Sequence, residues 1–216
     1  SSLVDLGLLH KDPYSRSYSL SARAALLGAS GQSGMLRDGK LIQSIQGNDV
    51  AAHIGLAADG DLWLGGTATG AAFFNYTSLM RLNSIDGSLD TGFAGDGTTY
   101  TGFGQFSSGT NGMVVQADGK VVLVGSDFHT GSASDFGIVR YNADGTLDTG
   151  FSGDGFQAVQ VTSGNFGDGA AAVLQLADGK LLVGGYTSAT SSSVTDDFAL
   201  VRLNTDGSLD TSFDAD

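Results

Sequence analysis

Apolar and polar positions along residues 156–161 alternate, as Phe156, Ala158, Val159 and Val161 interleave with Gln157 and Gln160. Strict alternation is the period of a half-buried strand. Residues 170–176 are mostly apolar, and residues 180–186 and 198–203 also read as strands. Between the second and third of these stretches lies Ala177-Asp178-Gly179-Lys180, a short hairpin signal, because Asp-Gly readily supplies the positive φ that a tight turn needs. The same turn recurs as Ala117-Asp118-Gly119-Lys120 and as Ala58-Asp59-Gly60-Asp61. Strands joined so tightly are antiparallel neighbours.

The whole pattern repeats. Asp38-Gly39, Asp96-Gly97 and Asp154-Gly155 are 58 residues apart, and Asp216 follows 62 residues after Asp154. A second phrase keeps the same period: Arg81-Leu82-Asn83 with Phe93, Arg140-Tyr141-Asn142 with Phe151, and Arg202-Leu203-Asn204 with Phe213. Fixed-period self-similarity marks supersecondary units that bury their apolar faces only against one another. Four short antiparallel strands per unit of about 60 residues predict an all-β fold, a β-propeller or propeller-like array of four-stranded antiparallel blades. There are three clear repeats in residues 39–216. Residues 1–38 read as an N-terminal arm or degenerate unit, since 33–39 can be laid over 149–155. Within that arm, residues 14–21 alternate like a strand with one wet face, 20–27 read as a third strand, and 22–27 equally as a helical turn.

The phase of the repeat has a consequence. Each repeat begins with the strand after Asp-Gly, so the last block of strands lacks the partner that a following repeat would provide, and an open strand edge templates pairing. Leu3-Val4-Asp5-Leu6-Gly7-Leu8-Leu9 is the expected donor. Folding back within the chain would close a ring, while reaching another copy would join molecules head to tail. A third reading is a piece of a longer array.

These phrases, "RLN-x-DGSLD-T-x-F" followed by "A-x-x-x-Q-x-DGK-hydrophobic-VGG", resemble the delta-60 repeat family. The similarity covers Gly39 to Asp216, with both halves in order in the second and third copies. The resemblance implies a β-propeller-like fold in secreted or surface-attached bacterial proteins, mostly without assigned activity. The first copy departs from it, because Ile85 is inserted before Asp86 and Asp61-Leu62-Trp63 replaces the Gly-Lys strand start.

Composition narrows the classes of function. Ten Lys plus Arg against 23 Asp plus Glu give a formal net charge of −13, which repels phosphate backbones and anionic membrane surfaces, so nucleic acid is not an expected partner. No apolar run reaches the roughly 20 residues of a membrane span. With no Cys, disulfides and thiolate metal sites are excluded. The 34 Gly beside a single Pro suit many tight turns, and 216 residues suffice to bury roughly two thirds of the unfolded surface. The chain begins at Ser1 without a charged-then-apolar leader, as a processed secreted chain or a trimmed one would.

Three sets of residues invite a chemical reading. Asn142, Asp144 and Asp148, with Asn204, Asp206 and Asp210, place oxygens at alternating positions around a Gly, as calcium loops do. The short spacing and the Ile85 insertion weigh toward a type I turn in which Asx side chains cap backbone N–H groups. Arg81, Arg140 and Arg202 are expected to pair with Asp90, Asp148 and Asp210, tying a strand to the following turn. A ring of Arg that takes an anion is the sharper alternative. Phe93, Phe151 and Phe213 are expected as anchors between blades. His10, His53 and His129 share no spacing that suits zinc or a catalytic triad, and no nucleophile elbow or phosphate-cradling loop appears. Asn75-Tyr76-Thr77 is a glycosylation acceptor sequence. No catalytic, cofactor-binding or metal residue is assigned, and no enzyme is expected. The sequence points to an extracellular or cell-surface structural or adhesive repeat protein that self-associates through its N-terminal strand. The alternative is a propeller that binds a surface glycan or another cell-envelope partner, with or without calcium.

Overall fold

The computed structural model describes residues 9–11, 18–20, 49–69, 75–102, 109–128, 134–162, 167–188 and 196–213. Among them every regular element is a strand, and no helix is long and apolar enough to cross a membrane. Strands β1 (Leu9–Lys11) and β2 (Tyr18–Leu20) form a small antiparallel pair, with Leu9 opposite Leu20. The first large sheet runs β3 (Asp49–Leu56), β4 (Leu62–Thr69), β5 (Asn75–Leu82) and β6 (Thr98–Thr101) in spatial order. The second runs β7 (Gly109–Val115), β8 (Val121–Phe128), β9 (Ser134–Tyr141) and β10 (Phe156–Val159). The third holds β11 (Asp168–Gln175), β12 (Leu181–Ser188) and β13 (Asp196–Leu203).

All pairings are antiparallel, and the fourth strand of a sheet always comes from the next repeat. β6 follows Asp96-Gly97 and adds to β5, with Thr98 opposite Met80; β10 follows Asp154-Gly155 and adds to β9, with Phe156 opposite Val139. The hand-off starts in the backbone of the glycine itself, because Arg81 N–H donates to Gly97 O at 3.0 Å and Arg140 N–H to Gly155 O at 2.9 Å. The four stretches expected in the third copy are all strands, with β12 and β13 each running two residues further into the loop between them than expected and β10 ending two residues sooner.

The Asp-Gly hairpins are three-residue loops closed by a glycine in the left-handed region. Gly119 N–H donates to Gln116 O, Gln116 N–H donates to Lys120 O, and Gly119 has φ +83°. In the loop after β9, Asn142 and Thr146 close the same way around Gly145. The Ile85 insertion lengthens the corresponding first-copy turn, where Asn83 N–H reaches Ser88 O instead. The turn absorbs the extra residue, since the bridge Leu82 to Leu89 matches Tyr141 to Leu147 and Leu203 to Leu209.

The first strand of each large sheet in chain order carries a bulge, at Ala51/His53, Thr110/Gly112 and Ala170/Ala172. The bulge drops a carbonyl over the facing strand, and this accounts for a glycine that recurs there. A Cβ on Gly66, Gly125 or Gly185 would stand 2.0, 1.7 or 2.0 Å from the carbonyl oxygen of Val50, Gly109 or Gly169. The bulged residue is free to reach out, and Asn111 donates from Nδ2 to Ala170 O in the third sheet at 3.0 Å.

The sheets stack face to face, and the core lies between them. Trp63, Leu79 and Phe93 of the first repeat meet Val121, Leu123, Val139 and Tyr141 of the second. Val122, Val124, Phe136, Ile138 and Phe151 meet Leu181, Val183, Val201 and Leu203 of the third. The middle sheet is thus covered on both faces, which is why β8 reads Val-Val-Leu-Val without alternation.

Residues 3–8, the expected strand donor, lie outside the described residues, as do 14–17 and 21–48. Leu9, the last residue of that segment, pairs with β2 and not with β13.

The glycine opposite the bulge gives a direct check. Gly125→Ala is expected to lower unfolding stability by about 3 kcal/mol in urea melts, because the obstruction is rigid backbone that cannot swing aside. Gly60→Ala, whose added Cβ meets nothing but whose φ is +93°, should cost only about 1 kcal/mol.

Candidate functional site

The repeated charged residues gather at the junction between one sheet and the next. Arg140 leaves β9 next to the turn that ends in Phe151, and its Nε lies 2.7 Å from Asp148 Oδ2. Lys120, from the hairpin opening β8, brings Nζ to 2.8 Å of the same oxygen. Asp148 Oδ1 accepts the Gly150 N–H at 3.0 Å. Above this pair the guanidinium sits 4.5 Å from the Phe151 ring centroid and donates from Nη1 to Thr205 O of the following sheet. One side chain thereby joins a strand, a turn, an aromatic anchor and the neighbouring repeat.

The third copy repeats the arrangement up to the sheet boundary. Arg202 Nε and Lys180 Nζ lie 2.6 and 2.7 Å from Asp210 Oδ2, and Arg202 covers the Phe213 ring at 4.6 Å. Its Nη2 turns to Ser212 Oγ, within its own repeat. The first copy is rewired. Asp61 stands where Lys120 and Lys180 stand, so Arg81 is shared among Asp59, Asp61 and Asp90, with Nε 2.9 Å from Asp90 and the guanidinium 5.1 Å from the Trp63 ring centroid.

Hydrogen bonds to Lys180 and to Ser212 hold the Asp210 carboxyl far below the usual carboxylate range, helped by Arg202 and against the effect of burial. Burial pushes Asp148 upward, but Lys120, the Gly150 N–H and Arg140 outweigh it, and its pKa also lies below the ordinary value. Both carboxylates are committed to two cations each, so the Arg residues serve the fold and form no free anion-binding ring. The Asn-x-Asp-Gly runs are Asx turns. Asp144 Oδ1 accepts the N–H and hydroxyl of Thr146, Asp206 Oδ1 accepts those of Ser208, and the hydroxyl bonds lead in lowering both pKa values. Asn142 donates from Nδ2 to Thr146 Oγ1. Their Oδ1 atoms turn back on the N–H and hydroxyl groups two residues on.

Of the histidines, His53 lies on β3 and His10 on β1, in different sheets, and His129 falls outside the described residues. No cluster of three or more His, Asp or Glu among the described residues is set to hold a metal. Asn75 opens β5 and Thr77 is fully buried two residues on.

Sheet junctions are sealed by Phe93 and Phe151. Each slides under the turn glycine of the next sheet, where a Cβ on Gly145 or Gly207 would come within 2.8 or 2.9 Å of the ring. The residue after each Phe adopts positive φ, 52° at both Ala94 and Ser152, and its N–H crosses the junction to Asp144 O at 2.8 Å and Asp206 O at 2.7 Å. The third sheet presents the same surface with nothing stacked on it among the described residues. Phe136, Ile138 and Phe151 are fully buried, whereas their counterparts Phe198, Leu200 and Phe213 are 103%, 53% and 39% exposed. This open face, with the outer edge of β13 beside it, which no described strand pairs, is the candidate functional surface. Sequence reasoning found the edge and the Arg–Asp pairs. It missed Lys120 and Lys180, which read only as turn residues, although their fixed place after Asp-Gly was the available signal.

Asp148→Ala, which strands Arg140 and Lys120, is expected to cost about 3 kcal/mol in chemical melts, the low end for a broken buried pair because the cluster lies near the surface. The depressed carboxylates also set a pH dependence. Their folded pKa values lie below the roughly 3.9 of an unfolded Asp, so their stabilisation is complete above about pH 4 and is lost as pH falls through the folded values. Thermal melts from pH 7 to pH 2 should show the midpoint falling below pH 4, and the fall should shrink in the Asp148→Asn/Asp210→Asn variant.

No curated protein matches this chain. Residues 57–93, 116–151 and 176–213, just over half of the chain, match a family described as a domain of unknown function (DUF5122) beta-propeller. Each matched stretch runs from the Asp-Gly hairpin through the Arg strand to the Phe anchor, a tandem unit of the kind that the delta-60 resemblance implied. By the extent of that match, the chain belongs to the DUF5122 β-propeller family.

Proposed function

We propose that this protein is a non-enzymatic structural or adhesive repeat protein of the cell surface or extracellular space, which assembles head to tail through its third sheet. The observation that carries this reading is the strand count. Among the described residues two sheets have four strands, the fourth supplied by the next repeat, and the third sheet has three. An exposed edge in a family built on strand hand-off favours completion by another chain, for which the N-terminal part of a second copy is the donor. The ionic clusters support a structural reading, because each carboxylate at a junction is held by cations of the same fold. The bacterial surface setting rests on the repeat resemblance.

Light scattering on size-exclusion fractions of the full chain is expected to show mass growing over a roughly 100-fold range of concentration. A synthetic peptide of residues 155–161, which carries the fourth-strand sequence of the second sheet, should bind β13 in excess and return the chain to monomer. A chain that stays monomeric throughout that range, with or without peptide, would remove the assembly reading.

A further inference from the structure

The two outer faces of the stack are halves of an interface that the chain already builds twice. On the β13 side, Phe198, Leu200, Arg202 and Phe213 occupy the positions that Phe136, Ile138, Arg140 and Phe151 use against the third sheet. On the opposite side, β3 is the counterpart of β7 and β11, whose Met113, Val115 and Val173 pack against a preceding sheet. The matching residues on β3 point outward: Ile54 is 71% exposed and Leu56 67%. The turn beyond β5 offers Gly87 at φ +70°, in the place of Gly145 and Gly207, which receive the Phe anchors.

The geometry points to a second copy of this chain as the occupant of the third sheet's outer face, docked through its β3 face so that the internal sheet-to-sheet contact is repeated between molecules. Phe213 would enter beneath Gly87 of the other copy, as Phe151 enters beneath Gly207. Phe198 and Leu200 would cover Ile54 and Leu56. Arg202, whose side chain is 24% exposed where that of Arg140 is 8%, would gain the turn carbonyl that Arg140 takes from Thr205. The chain carries both halves of this surface itself, which favours a like partner over an unlike one. Because donor and acceptor faces differ, the contact is heterologous and gives an open filament, or a ring where the rotation closes. The inference rests on the assembly reading above and names its contact surface, which is distinct from the strand edge.

The test uses two single variants that put the same charge on one face each, Phe198→Lys and Ile54→Lys, both at sites open to solvent in the single chain. Each should keep the wild-type melting temperature and lose all species above monomer at concentrations where the wild type assembles. Mixed one to one, the intact third-sheet face of Ile54→Lys meets the intact β3 face of Phe198→Lys, while the two altered faces repel each other. Such a pair cannot grow, so a complex of twice the monomer mass and nothing larger is expected. Variants that assemble like wild type while the 155–161 peptide still disperses them would overturn face docking and leave edge-driven assembly standing. A mixture that remains monomeric would overturn it as well. A wild type that never assembles would take both readings down.

Discussion

The completion of each sheet by a strand of the following repeat is the constraint from which the rest of this molecule follows. A four-residue strand such as β10 contributes little by itself, but its placement fixes where the chain must turn and what it must cross. The turn from β9 brings Phe151 under the next sheet and Gly155 into bonding distance of Arg140 N–H. Backbone strain at Ala94 and Ser152, non-glycine residues with positive φ, costs of order 1 kcal/mol each. It persists because the strained N–H is the one that bonds across the junction.

Electrostatics follows the same geometry. Arg140 is useful because a planar guanidinium can face an aromatic ring, donate along its edge to Asp148 and still reach a carbonyl of the neighbouring sheet. Lysine cannot make all three contacts, and it appears where a single point charge is enough, at Lys120 and Lys180. In the first copy Asp61 takes that place and Trp63 occupies the strand position of Val122, so Arg81 is balanced by three carboxylates and lies against a larger ring. That junction keeps the plan of the others with different chemistry.

Much of this was legible in the sequence. Alternation and Asp-Gly spacing locate the strands and hairpins, the repeat phase places the first strand of one repeat on the sheet of the one before, and the Arg–Asp pairing follows from scarce basic residues recurring at one spacing. What was hidden depends on partners far along the chain. The second glycine of the Val-Gly-Gly phrase is dictated by a carbonyl about 16 residues earlier, at a bulge that no alternation pattern reveals. Asn111 looks like an ordinary strand residue until the third sheet supplies Ala170 O. Exposure is hidden too, since Phe136 and Phe198 have similar sequence contexts and differ only in whether a sheet lies over them.

Because the sequence unit and the folded unit are offset by one strand, duplicating a stretch of about 60 codons inserts a complete sheet without creating a new raw boundary. The incoming unit lends its first strand backward and borrows one forward, whatever its position in the tandem. Lineages with such a gene can lengthen or shorten the product in whole steps, each step adding or removing one sheet with its junction already built.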